Sequence, residues 1–113
     1  MSMKEEKKLA ELNLDKLVHE RTRLMILTHL ASSGEAETGF PELKSALGLS
    51  AGNLSIQLKT LEEAGYLSIQ KSFRNNKPFT AVTLSPKGKK ALEAYLGELE
   101  FIVASLRGER KDQ

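Results

Sequence analysis

The side chains with chemical potential in this 113-residue chain are mostly cations and amides, and their placement is uneven. Residues 64–92 contain six basic groups (Lys71, Arg74, Lys77, Lys87, Lys89 and Lys90) and no acidic one, a local charge of +6. The rest of the chain, with 11 basic and 15 acidic residues, carries −4, so a net charge of only +2 conceals a polarised molecule. One region can face a polyanion while the remainder does not, which is the electrostatic footprint of a nucleic-acid binder; a solvated lysine-rich face is the plainer alternative. Other chemistries find little support. The chain has no cysteine, which excludes a disulfide framework, a thiolate zinc site and a cysteine nucleophile. His19 and His29 stand ten residues apart, off any metal-ligand spacing, and read as structural histidines. No nucleophile is paired with a base, no glycine-rich loop can cradle a phosphate, and the carboxylates fall on helix surfaces. Neither catalysis nor a cofactor or metal site is expected.

These residues must be positioned by a single domain with one modest core, since 113 residues that are 40% hydrophobic leave room for no more. Residues 1–8 are too polar for a signal peptide, and no apolar run approaches the ~20 residues that span a bilayer. A cytoplasmic address without membrane attachment is therefore expected.

The spacing of Leu17, Leu24, Leu27 and Leu30 predicts a helix over 14–31, capped by Asn13 and stopped by Ser32-Ser33-Gly34. A polar link over 35–39 leads to a short helix over 41–47, which Pro41 can open and Gly48 can end in the left-handed conformation. Ser50 is a strong N-cap for the next helix, to about Ala64, with Leu49 and Leu54 placed to staple its entrance. Two helices joined by Gly48-Leu49-Ser50 form a helix-turn-helix. Leu67, Ile69, Lys71 and Phe73 then alternate with polar residues, and 79–84 favours strand, so the two runs read as a hairpin with its tip at 74–78. Ser85-Pro86 opens a last helix in which Leu92, Leu96, Leu99, Val103 and Leu106 are spaced 4, 3, 4 and 3, a heptad seam.

Helical geometry sorts the second helix of the helix-turn-helix into two faces. Leu54, Leu58 and Leu61 point inward, so Gly52, Asn53, Ile56, Lys59 and Thr60 face outward. Asn53 has a donor and an acceptor that suit adenine in the major groove, Ile56 suits a thymine methyl, and Lys59 suits phosphate or guanine. Ser50 and the free N–H groups of the helix start can hold a backbone phosphate, or can simply satisfy the helix end. Lys87, Lys89 and Lys90 oppose the dipole at the start of the last helix, which leaves DNA-backbone contact as the better account, above all for Lys87.

In this order the elements resemble a known family. His19-Glu-Arg-Thr-Arg23-Leu-Met-Ile-Leu27, Leu49-Ser-Ala-Gly-Asn-Leu-Ser55, Leu58-Lys-Thr-Leu-Glu-Glu-Ala-Gly-Tyr66, Pro78-Phe-Thr80 and Leu84-Ser-Pro-Lys-Gly88 are similar to the small MarR/ArsR-like winged helix-turn-helix transcriptional regulators. The likeness is to their compact subgroup with a Gly-Asn-Leu-Ser recognition-helix start, and it spans residues 14–99. It implies a mainly α fold with a small β-hairpin wing, and a homodimer on double-stranded DNA with the 50–64 helix in the major groove. The wing residues Arg74, Asn75, Asn76 and Lys77, with Lys71, lie beside the groove by the same likeness, and Arg23 matches an arginine read as a salt-bridge residue near the dimer interface. Two departures stand out: Ile56-Gln57 replaces a pair that is often basic, and Ser85 replaces a more frequent threonine.

The expected organisation is an N-terminal arm or helix over 1–13 that contributes Leu9 and Leu12 to a dimer contact. A winged helix-turn-helix over 14–85, a dimerisation helix over 86–107 and a disordered tail over 108–113 complete it. The seam residues Leu92 to Leu106 complete the dimer interface, because the stripe outruns what a small core can cover. The expected function is repression at a palindromic operator. The rivals are a winged helix that docks another protein and a ligand-responsive repressor, for which no residue marks an effector pocket.

Overall fold

The computed structural model describes residues 9–108. After a 3-10 turn at Leu9–Glu11 the order is α1 (Arg21–Ser32), β1 (Thr38–Gly39), α2 (Phe40–Leu47), α3 (Ala51–Glu63), β2 (Leu67–Arg74), β3 (Lys77–Leu84) and α4 (Pro86–Arg107). The predicted arm is thus seen only from Leu9, and the predicted tail, beyond Gly108, lies outside the described residues. Among the described residues no helix is long and apolar enough to cross a membrane.

The first helix begins later than its leucine spacing predicts. It starts at Arg21, with Glu20 in extended backbone as the N-cap, its side chain accepting from the Arg23 amide at 2.8 Å. Asn13 caps nothing. Its amide and that of Leu14 donate to the Glu98 carboxylate of α4 at 2.9 and 2.8 Å, and Leu14 takes a positive φ of 45°. Asp15 then accepts from the Leu17 and Val18 amides and closes a turn. A side chain that bonds its own backbone competes with helix, so 12–20 forms a strap that inserts Val18, fully buried, into the core.

The helix-turn-helix forms as predicted. Gly48, at φ 64°, ends α2 in a conformation that a β-carbon disfavours, and the Leu49 amide donates back to the Lys44 carbonyl at 3.1 Å. Ser50 accepts from the Asn53 amide at 3.1 Å and so caps α3. Leu54, Leu58 and Leu61 of α3 bury their side chains against Ile26, Leu27, Leu30, Leu43, Val82 and Tyr95 in a single core.

The sheet is antiparallel in the order β1-β3-β2. The 35–39 link, read as a loop, contributes β1, in which Thr38 pairs with Val82 and Gly39 with Ala81. Two residues are too few to show an alternation, and they are strand only because β3 has an edge to receive them. The predicted 74–78 tip is shorter than expected. Arg74 pairs with Lys77, so both are strand ends, and only Asn75 and Asn76 turn, at φ 55° and 63°. This is the two-residue hairpin whose left-handed centre asparagine tolerates.

Ser85 caps α4 by accepting from the Gly88 amide at 2.9 Å, and its hydroxyl donates to the Gly65 carbonyl at 2.6 Å. A β-carbon at Gly88 would collide with the Tyr66 carbonyl, so glycine lets α4 lie directly on the chain leaving α3. The predicted seam divides. Leu92, assigned to a dimer contact, is 3% exposed inside the core of its own chain and cannot face a partner, and Leu99 is half-buried against that core. Leu96, Val103 and Leu106 remain 39, 43 and 87% exposed.

Candidate nucleic-acid interface

The outer face of α3 and the wing border one open cleft of about 620 Å³, whose lining includes Ser55, Leu58 and Lys59 from the helix and Ile69, Lys71 and Thr80 from the sheet. Two elements with independent sequence signals therefore present a continuous surface. Lys59 is exposed at the cleft; Gly52 and Ile56 are exposed on the helix outside its lining, Ile56 at 65%, while Asn53, Gln57 and Thr60 are half-buried. An isoleucine that remains two-thirds in water is unexplained by packing within the chain. The Thr60 hydroxyl donates to the Ile56 carbonyl at 3.1 Å, and Lys59 lies 3.8 Å from Glu63 in an exposed pair of small energetic weight.

The half-buried amides are held by a residue that the sequence marked for a salt bridge. Arg23 makes the expected salt bridge, with Glu20 at 3.9 Å, and also faces α3: its Nε donates to the Leu17 carbonyl at 2.7 Å and its guanidinium to Gln57 Oε1 at 2.8 Å. Gln57 Nε2 then donates to Asn53 Oδ1 at 3.3 Å. The strap, α1 and the outer side of α3 are joined by one chain of hydrogen bonds. Nothing in the sequence signalled it, because the Leu17 carbonyl is available only where the strap leaves helical geometry.

On the wing, Lys71, Asn75, Asn76 and Lys77 are exposed. Arg74 is engaged: its guanidinium meets the Glu37 carboxylate at 2.7 Å and sits 4.0 Å above the centre of the Phe79 ring. Phe73, 75% exposed, was not singled out from the sequence. The alternation of Leu67, Ile69, Lys71 and Phe73 was the available signal, since it carries the core-facing side of β2 past the end of the core. Lys87 is exposed, with its Nζ 5.7 Å from the centre of the Tyr66 ring, and Lys89 and Lys90 are exposed beside it. Tyr66 donates to Asp15 at 2.5 Å. That bond, with burial and the Asp15 charge, pushes the phenol up to about 12. The docking of α4 on Tyr66 thus brings Lys87 to the end of α3.

His19 Nδ1 and the Tyr95 hydroxyl share a hydrogen bond at 2.5 Å. Among the described residues no group of three or more His, Asp or Glu side chains could hold a metal ion.

A family profile described as a winged helix DNA-binding domain matches residues 22–103. An uncharacterised protein of Methanocaldococcus jannaschii is 33% identical over 84 residues, 74% of this chain and 89% of that protein. Of solved structures, a transcriptional regulator homologue from Pyrococcus horikoshii superposes with a TM-score of 0.72 at 20% identity, over 87% of this chain and 92% of that one. A cysteine-to-serine mutant of MarR from E. coli superposes with a TM-score of 0.67 at 16% identity, over 88 and 74% of the two chains. The fold of those structures is the fold described above, and the profile covers the helix-turn-helix, the wing and most of α4. The chain belongs to the winged helix DNA-binding domain family.

Proposed function

We propose that this protein is a sequence-specific regulator of transcription that binds double-stranded DNA as a homodimer, in the cytoplasm, and represses at a palindromic operator. The observation that carries the reading is the cleft between α3 and the sheet, lined by Lys59 and Lys71 together with Glu62, next to a helix face on which Ile56 is left exposed. In it, α3 lies in the major groove with Ser50, Gly52, Asn53, Ile56, Gln57, Lys59 and Thr60 toward the DNA. Lys71, Arg74, Asn75, Asn76, Lys77 and Lys87 contact the flanking backbone. Phosphate contacts position such a protein and base contacts give its specificity, so affinity and specificity reside on different elements.

The homodimer rests on the far end of α4, where Leu96, Val103 and Leu106 leave an apolar stripe in water, with Leu9, 56% exposed, and Leu12 on the neighbouring N-terminal segment. Leu99, half-buried, lies at the inner margin of that stripe and completes the contact. Two-fold symmetry of the protein implies two-fold symmetry of the operator.

Selection of bound sites from a random duplex library tests the reading, followed by titration of the selected site at several salt concentrations. The expected result is a palindromic consensus bound with strongly salt-dependent affinity. Absence of both a consensus and a salt dependence would defeat this reading and favour a winged helix that docks another protein through Ile56.

A further inference from the structure

We propose that Arg23 fixes which end of the Asn53 amide faces DNA, so that this position reads hydrogen-bond acceptors, guanine above all, rather than adenine. The proposal rests on the reading that α3 enters the major groove.

The argument starts from the guanidinium, which has five donors and no acceptor. Arg23 is locked by its bond to the Leu17 carbonyl and by the Glu20 carboxylate 3.9 Å away, and its side chain is only 18% exposed. The atom of Gln57 that meets it at 2.8 Å must be the carbonyl oxygen, because an amide NH2 there would oppose donor to donor. The orientation of an amide is ordinarily ambiguous; a donor-only neighbour removes the ambiguity. With its oxygen on Arg23, Gln57 turns its NH2 to Asn53, and an NH2 group can be met only by an acceptor. Asn53 therefore points Oδ1 inward, at 3.3 Å. Among the described residues its Nδ2 makes no hydrogen bond, so it is the end of the amide left for a partner. Since the backbone N–H of Asn53 is bonded to Ser50, the side-chain NH2 is what this residue offers a base.

An unrestrained asparagine suits adenine by giving to N7 and accepting from N6. An asparagine whose oxygen is already engaged by Gln57 offers its two amide donors first and only the oxygen's second lone pair as an acceptor. Guanine presents two adjacent acceptors, N7 and O6, on its major-groove edge, whereas adenine presents one acceptor beside a donor. The polarity that starts at Arg23, on another helix, selects guanine at the base that Asn53 meets.

Gln57→Glu tests this with almost no change of shape. The new carboxylate still pairs with Arg23 but opposes Asn53 Oδ1, so the Asn53 amide must turn over and present its oxygen. In parallel selections, the wild-type chain is expected to enrich guanine at one position of each half-site. Gln57→Glu should move that single position to adenine or cytosine, whose amino groups donate, by roughly tenfold in relative preference. Its added negative charge should also lower affinity for every sequence alike. Arg23→Lys, which keeps a donor against Gln57, should retain guanine. Gln57→Leu, which removes the relay, should flatten the preference and stands in if the glutamate variant does not fold. Substituting 7-deazaguanine at that position should weaken the wild-type chain and leave Gln57→Glu unaffected.

A wild-type consensus whose bases are all unchanged by Gln57→Glu and Gln57→Leu overturns the proposal while leaving DNA recognition intact. Failure of the wild-type chain to select any sequence overturns DNA recognition, and the proposal with it.

Discussion

In the proposed complex, Glu37 and the DNA backbone would compete for the Arg74 guanidinium. The ion pair at 2.7 Å is half in solvent, where such a pair is worth ~0–1 kcal/mol, so a phosphate can displace the carboxylate. Glu37→Gln is then expected to raise affinity for all duplexes by a few-fold, with base preference unaltered. Lys77→Ala, at a cation with no such competitor among the described residues, should lower affinity for all sequences and reduce the salt slope by about one. Anisotropy titrations over a range of salt check both, and a Glu37→Gln chain that binds no more tightly would mean that Arg74 stays off the DNA. Tyr66 makes a different prediction. Its phenol holds its proton up to about 12, against an ordinary 10, because it donates to Asp15 and is buried. A group whose pKa is raised by folding contributes stability that is complete below the unfolded value and is lost as pH rises through the folded one. Wild-type should therefore exceed Tyr66→Phe in urea midpoint at pH 8, and the gap should close between pH 10 and 12. A gap that is constant across that range would show that the Asp15 bond does not hold the proton.

At the scale of elements, the contact that sets the interface is the one between the start of α4 and the chain leaving α3. It combines the Ser85 bond to the Gly65 carbonyl with backbone against backbone at Gly88. Gly88→Ala cannot be relieved by a side-chain rotation, since the collision is with the Tyr66 carbonyl. A loss of ~1–3 kcal/mol is expected, the range for overpacking, read as a lowered melting temperature. The displacement should also shift Lys87, so binding to all sequences weakens. An unchanged melting temperature would show that α4 can move outward without consequence. The wing is less sensitive. Its turn already has both central residues at positive φ, so replacing Asn76 with glycine should leave the melting temperature nearly unchanged and cost binding only the one amide contact.

For the whole molecule, the unresolved balance lies at the far end of α4, where Val103 and Leu106 are 43 and 87% exposed. Burying such a stripe favours association at roughly 25 cal/mol per Å² of apolar surface, offset by lost rotational and translational freedom. Sedimentation at micromolar concentration is expected to give twice the 12.5 kDa chain mass, and Leu106→Glu the chain mass itself with the melting transition retained. A wild-type mass of 12.5 kDa would remove the dimer and the palindrome together. In a dimer, the two α3 helices should reach major grooves about 34 Å apart, so half-sites should be centred about 10 base pairs apart or at a multiple of that.

Caps, stops and periodicities were legible in the sequence because each depends on neighbours a few residues away. Ser50 before α3, Gly48 after α2, Ser85-Pro86 before α4 and the inward face of Leu54, Leu58 and Leu61 all follow from local chemistry and helical geometry. The motif order of the winged helix was readable for the same reason. What the sequence did not disclose depends on partners far along the chain. The strap over 12–20 stays out of helix because Glu98, some 84 residues on, receives its amides. Thr38–Gly39 is strand because β3 lies beside it, and Leu92 belongs to the core because α4 docks through Gly88. Arg23 reaches Gln57 only after α1 and α3 pack together. The sequence by itself therefore determined the helix-turn-helix and the face of its second helix that turns inward. Only the tertiary structure decided how Asn53 and Gln57 are oriented, because a hydrogen bond's direction is set by the partner that folding supplies.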